Sequence, residues 1–199
     1  ASLSKQIPQL ETLFVLSLFR KRISENDVMN RLEQFGYHFE EEKVFYTGLV
    51  QIDTIDDQQG GDKNLLLLAI NNIVEEIVPK DERLNPIVLN DEMQATIFIL
   101  DKSEKEPERR IMKYYEEIQA AVKQSLNLIC SVGISPIYET LIESKKAVDL
   151  AKESLHYRVN VGPESIIFYN DISSMLNDAS ISKFPVELLN ELLNGIRSG

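Results

Sequence analysis

Between residues 43 and 169 the sequence alternates β-rich runs with helical periodicities in the order β-α-β-β-α-β-α-β, and that order restricts the fold more than any single motif. Lys43 to Asp53 (KVFYTGLVQID) reads as a strand. A polar loop, Thr54 to Gly61, leads into a helix from Asp62 to Val78, where Leu66, Ala69, Ile70, Ile73 and Ile77 keep the i, i+3, i+4, i+7 spacing of a core stripe. Leu67 and Leu68 fall on the face that also carries Asn71, Asn72, Glu75 and Glu76, so they are expected at an interface with the N-terminal helices or with another subunit. Two short strands, Asn85 to Asn90 and Gln94 to Leu100, flank Asp91-Glu92 as a hairpin. Pro107 opens the next helix at its tolerated first position, with Ile111, Tyr114, Tyr115, Ile118, Ala121 and Val122 as the core face. A strand over Asn127 to Ser135, a helix near Tyr138 to Tyr157 and a last strand over Ser165 to Tyr169 complete the order. The fold class is therefore α+β, a ferredoxin-like βαββαβ sheet with an added αβ.

Helical segments flank this unit. Leu10, Leu13, Phe14, Leu16, Leu18 and Phe19 are dense enough for a buried helix, closed by Arg20-Lys21-Arg22, whose cations suit the negative end of a helix. Ser24 begins a second helix as N-cap, with Asp27 three residues on. Its apolar face is Val28, Met29, Leu32 and Phe35, and Gly36 is the glycine expected just past its end. Beyond residue 172 a polar linker precedes Phe184-Pro185 and a helix carrying Val186, Leu189, Leu192, Leu193 and Ile196. The chain begins at Ala1 and stops at Gly199 inside that helical pattern, as a piece of a longer protein would. The expected organisation is a helical segment over 1–40, a sheet domain over 41–172, and a linker with its helix over 173–199.

Charge and composition exclude several functions. Lys and Arg number 21 against 32 Asp and Glu, a formal net charge of −11, which disfavours a direct grip on nucleic acid or an anionic membrane surface. Two His and one Cys cannot build a Cys/His zinc site, and a lone thiol closes no internal disulfide and fits the cytoplasm. The most apolar stretch, Leu10 to Phe19, contains Glu11, Thr12 and Ser17 and falls far short of the roughly 18 apolar residues of a membrane span. His38 and His156 lie on different elements without a nucleophile beside them, and Cys130 alternates with core residues as a small hydrophobe. Gly60-Gly61-Asp62 reads as a flexible loop with an acidic residue opening the next helix, because no Lys-Ser/Thr follows it.

Five segments in order carry a resemblance: YTGLVQIDTID, LLLLAINNIVEEIV, SVGIS, KKAVDLAKESLHYRVNVGPESIIFYNDI and FPVELLNELLNGI. Together, over about residues 10 to 199, they resemble the GGDEF (diguanylate cyclase) family. More narrowly, they resemble the degenerate GGDEF-like regulatory domain of AraC-type bacterial transcription regulators. The resemblance implies a nucleotide-cyclase-like sheet. Where an active cyclase binds magnesium through an Asp ending its first strand, this sequence has the neutral Gln51, and Asp53 matches the second, non-liganding acid. The signature hairpin corresponds to Leu89-Asn90-Asp91-Glu92-Met93, with side chains at Leu89 and Asn90 where glycines would admit a nucleotide. Asp91 and Glu92 keep the acids. The family's product-inhibition pattern of Arg and Asp is absent from Lys80-Asp81-Glu82-Arg83.

The resemblance thus implies no catalytic residues, no metal, no cofactor and no enzymatic activity. It implies instead a regulatory, homodimerising cytoplasmic module that relays a signal to DNA through a domain outside this sequence. It makes no membrane contact of its own, and an upstream anchor in the parent protein stays open. The alternative is a domain that senses a nucleotide or another small molecule by binding it.

Overall fold

The run KVFYTGLVQI is apolar on both sides of its pleat, which suits a strand with neighbours on both edges and helices on both faces. In the computed structural model, which describes residues 2–53 and 62–181, this run is β1 (Lys43–Ile52) and lies at the centre of a five-stranded sheet. The other strands are β2 (Ile87–Val88), β3 (Met93–Asp101), β4 (Cys130–Ile134) and β5 (Ile166–Phe168), in the spatial order β2-β3-β1-β4-β5. β1 pairs antiparallel with β3, from Lys43 opposite Asp101 to Gln51 opposite Met93, and antiparallel with β4, from Gly48 opposite Ile134 to Ile52 opposite Cys130. β5 runs parallel to β4. The expected α+β class and element order are observed.

Alternation along β1 divides the core between two faces. Val44, Tyr46, Val50 and Ile52 meet α3 (Lys63–Ile77) and α4 (Pro107–Leu126), through Leu67, Ile70 and Val74 of the first and Ile111, Tyr115, Ile118 and Val122 of the second. Phe45 and Leu49 point the other way, toward α5 (Ser144–His156) and the two N-terminal helices, α1 (Ser2–Phe19) and α2 (Glu25–Gln34). Phe14, Val15 and Leu18 of α1 and Val28 and Leu32 of α2 are buried in the same cluster as Ile97, Val148 and Leu155. A short α6 (Arg158–Val161) joins α5 to β5.

The helix ends follow their chemistry. Ser24 caps α2, its hydroxyl accepting from the Asp27 amide at 3.3 Å, and Gly36 leaves the helix at φ 85°. α1 closes through its backbone: Lys21 takes φ 53°, its amide donates to the Leu18 carbonyl, and Arg22 donates to that of Ser17. The three cations thus follow the last helical turn.

Three expectations are corrected. The buried stripe of α3 is Leu67, Ile70, Asn71 and Val74, with Leu66, Ile73 and Ile77 on its flanks. A run of four leucines supports either phase, and the sheet selects the one shifted by one residue. Leu67 is fully buried in the core and is no interface residue, whereas Leu68 is half exposed. α5 begins at Ser144 rather than near Tyr138, because Tyr138 exchanges backbone hydrogen bonds with Phe45 at 2.7 and 2.9 Å and a 3₁₀ turn, Leu141–Glu143, intervenes. The segment from 173, read as polar linker, is helical to Ile181 within α7 (Tyr169–Ile181). The loop with Gly60-Gly61 and the helix expected from Phe184 lie outside the described residues. No helix among the described residues is long and apolar enough to cross a membrane.

Candidate functional site

The central position of β1 decides what its C-terminal end meets. Gln51 lies opposite Met93 on one side and Ser131 on the other, so the strand end stands between the β2–β3 hairpin and the start of β4. The hairpin spans Leu89 to Met93, closed by the Leu89 amide donating to the Met93 carbonyl at 2.9 Å. Asn90 builds the turn from within: its Oδ1 accepts from the amides of Glu92 at 2.9 Å and Met93 at 3.0 Å, the side-chain turn that Asn forms readily. Leu89 and Met93 pack on the cluster of α1 and α5, which anchors the hairpin from beneath. Asp91 and Glu92 are exposed at the tip. The Gln51 amide approaches the Glu92 carboxylate at 3.4 Å, so the structure brings these two sequence-predicted positions together.

Asp53 belongs to a different arrangement. Its side chain is 5% exposed and serves the fold. The Ser131 hydroxyl lies 2.8 Å from Oδ2, Arg158 donates to Oδ1 at 3.1 Å, and the Glu164 amide donates to Oδ2 at 2.8 Å. Ser131 in turn accepts from the Ser165 amide at 3.1 Å. One carboxylate therefore ties the end of β1 to β4, α6 and the approach to β5. Arg158 and Ser131 carry no local sequence signal for this role; they lie 105 and 78 residues from Asp53.

A hard divalent cation needs several free oxygen ligands. Among the described residues no group of three His, Cys, Asp or Glu side chains is placed to hold one. Glu92 faces an amide, and both oxygens of Asp53 are engaged by donors. The donors present do not fit a magnesium ion of the cyclase kind. Cys130 is buried beneath α4, and burial, helped by the negative charges of Asp53 and Glu164, pushes its thiol up to about 12. It stays protonated and is no nucleophile. Tyr115 points inward while Tyr114 sits at the rim, donating to Glu82 at 2.6 Å with its ring stacked on Phe98.

No family model matches the chain. Among solved structures, the GGDEF domain of YfiN (TpbB) from Pseudomonas aeruginosa superposes with a TM-score of 0.52 at 13% identity, over 78% of this chain and 92% of that one. A second structure of the same domain gives 0.50 at 15% identity, over 76% and 91%. The fold is that of a GGDEF domain. The active GGEEF domain of a diguanylate cyclase from Vibrio cholerae is also similar, with a TM-score of 0.48 at 15% identity over 72% of this chain and 90% of that one. The expectation that the chain is not an enzyme is corrected here: its fold is the one that GGDEF domains have, and the departures at Gln51 and Leu89 do not exclude activity.

In sequence, YtdP of Bacillus subtilis (strain 168), described as an uncharacterized HTH-type transcriptional regulator, is 30% identical over 201 residues. The match takes in all of this chain and 26% of that protein, so the chain spans about a quarter of its relative's length.

Proposed function

We propose that this GGDEF fold is the regulatory module of an AraC-type transcription regulator, relaying a signal to DNA-binding helices elsewhere in the same protein. The observation that carries the reading is the 30% identity to an HTH-type regulator along the whole of this chain. The remaining three quarters of such a protein leaves room for input and DNA-binding parts on either side. The net charge of −11 suits a part that leaves DNA contact to another. On this reading the signature hairpin is a degenerate one, with Gln51, Leu89 and Asn90 at the altered positions. Residues 1–40 receive the signal, 41–172 form the sheet domain, and 173–199 lead to the output. The burial of α1 and α2 in one core with β1 and α5 supports a direct mechanical link from the first segment to the second. The module works in the cytoplasm as a homodimer.

The test removes residues 1–199 from the full-length regulator and follows a promoter reporter with and without inducing conditions, alongside light scattering of the 199-residue chain. Loss of induced regulation with DNA binding retained, and a dimer in solution, are expected. An unchanged reporter response overturns the relay, and a strict monomer at high concentration removes the dimer. A second reading, nucleotide binding at the hairpin, is favoured by the exposed Gln51–Glu92 contact, which presents an amide and a carboxylate at one strand end. A thermal-shift panel of GTP and cyclic diguanylate that gives no stabilisation rules it out.

A further inference from the structure

A cleft of about 350 Å³ lies between the C-terminal end of α1, the β2–β3 turn at Asn90, and α5. Four cations line it: Arg20 and Arg22 from the end of α1, Lys145 and Lys152 from α5. No Asp or Glu among the described residues lines it, in a chain where acids outnumber bases 32 to 21. Arg20, Arg22 and Lys152 form no ion pair with another described residue, while Lys145 meets Asp149 at 2.5 Å one turn along its helix. The floor is apolar, built by Phe19 and Val148, both buried.

We infer that this cleft binds a small organic phosphate carrying at least two negative charges and a compact apolar body. The cations come from two elements that meet only in the folded chain. Seven residues separate Lys145 from Lys152, about 10.5 Å along a helix, so their ammonium groups flank the opening with Val148 between them. Arg20 and Arg22 stand on either side of Lys21, whose left-handed backbone turns the chain away from α1 at this point. Arg20, Arg22 and Lys152, unpaired among the described residues, repel one another, and a bound polyanion converts that repulsion into attraction. Guanidinium groups grip phosphate oxygens in pairs, ammonium groups act as point charges beside them, and the floor accepts a nonpolar portion. The volume lies within the usual range for small-molecule sites, about 300–1,000 Å³. Because Asn90 forms a wall of the cleft, an occupant would brace α1, α5 and the hairpin against one another.

The inference stands apart from the proposed relay, since binding is read on this chain alone. Inorganic pyrophosphate is the first probe, followed by nucleoside diphosphates, with citrate as an equally charged anion lacking phosphorus. Pyrophosphate is expected to raise the melting temperature in a dose-dependent way and to bind measurably by calorimetry, more tightly than citrate. Arg22→Ala and Lys152→Ala are each expected to weaken it about tenfold, the loss of one charge-assisted contact, while melting unchanged in buffer. Lys113→Ala, exposed on α4 across the sheet, removes the same charge and is expected to leave binding intact. No stabilisation at millimolar pyrophosphate overturns the site. Equal weakening by Lys113→Ala, or citrate binding as tightly as pyrophosphate, overturns it as well, by showing general charge attraction.

Discussion

The two faces of the sheet are covered by different means. The face under α3 and α4 buries few polar side chains, Gln94, Thr96 and Gln119 among them, and three of its polar atoms, Tyr115 Oη, Asn71 Oδ1 and Gln94 Oε1, are buried without a hydrogen-bond partner among the described residues. The face under α1, α2 and α5 is pinned by buried polar groups. Glu11, 7% exposed, accepts from the Tyr37 hydroxyl at 2.5 Å and from the Asn85 amide at 3.1 Å, and the Asn85 side chain donates to Thr12 at 3.1 Å. Tyr138 bridges Thr47 at 2.8 Å and Ser144 at 3.1 Å. The contrast follows connectivity. α3 and α4 are strung between strands, which limits how they can lie, whereas α1 is tethered at one end only within the described residues. Apolar contact is non-directional, so directional bonds are what fix the orientation of a helix added from outside the sheet unit.

Glycines on β1 and β4 let a helix approach each face, and they offer the most severe way to break the comparison. A Cβ at Gly133 would sit 2.4 Å from the Ala151 carbonyl oxygen of α5; a Cβ at Gly48 would sit 1.7 Å from the Tyr115 hydroxyl of α4. Gly133→Ala and Gly48→Ala are each expected to cost about 3 kcal/mol in urea denaturation. The two differ in rescue. The first clash is with backbone, and no side-chain exchange relieves it. The second is with a side chain, so Tyr115→Leu should recover part of the loss, a coupling of about 1 kcal/mol or more in a double-mutant cycle. Additive losses for Gly48 and Tyr115 would show that α4 is not seated there.

The polar staple comes next in size. Glu11→Ala strips the acceptor from Tyr37 and from the Asn85 amide, and about 2–3 kcal/mol of stability should go with it. Tyr37→Phe removes one donor to a buried carboxylate and should cost about 1–2 kcal/mol. The Tyr37 hydroxyl is held above its ordinary range by burial first and the Glu11 contact second, so it donates at every pH of interest. Hydrogen exchange adds a local readout: protection in α1 should fall further than protection in α3. Equal losses in both helices would place the staple's effect on the whole fold.

Alkaline pH probes both faces at once. Burial pushes Cys130, on the α4 face, up to about 12, and burial pushes Tyr138, on the other, up to about 12 against the opposing hydrogen bonds of Ser144 and Thr47. Each group keeps its proton in the folded chain above the pH at which the unfolded chain releases it. The native state then binds more protons, and stability declines as pH rises from about 9 toward 12, by at most about 1.4 kcal/mol per pH unit for each group. Urea midpoints across that range should fall less steeply in Cys130→Ala, whose background lacks one of the two groups.

Legibility in the sequence tracked the range of the interaction. The βαββαβ order, the Ser24 cap, the Gly36 exit and the Asp91-Glu92 hairpin rest on neighbours a few residues apart and could be read directly. The phase of α3 could not, because four consecutive leucines satisfy two helical stripes and the sheet chooses between them. Gln51 and Glu92 were singled out through resemblance, and the contact between them follows from the register of β1 with β3. The partners of Asp53 were invisible, since they are fixed by a crossover late in the chain. The same applies to Glu11, which breaks an apolar helix face for a tyrosine 26 residues away.

The smallest expected effect is the sharpest test of the contrast. Tyr115→Phe deletes a hydroxyl that is fully buried and has no hydrogen-bond partner among the described residues, with its ring edge against Phe98 at 5.4 Å. Burial first, and the neighbouring Cys130 second, push its pKa well above the tyrosine range. Folding strips water from that oxygen and returns nothing, so its removal should be neutral or stabilising by up to about 1 kcal/mol. The ring stays, and with it the packing under Gly48. The same exchange at Tyr37 should destabilise, so one chemical change has opposite signs on the two faces. If Tyr115→Phe destabilises by as much as Tyr37→Phe, the hydroxyl has a partner and the α4 face is no drier than the other.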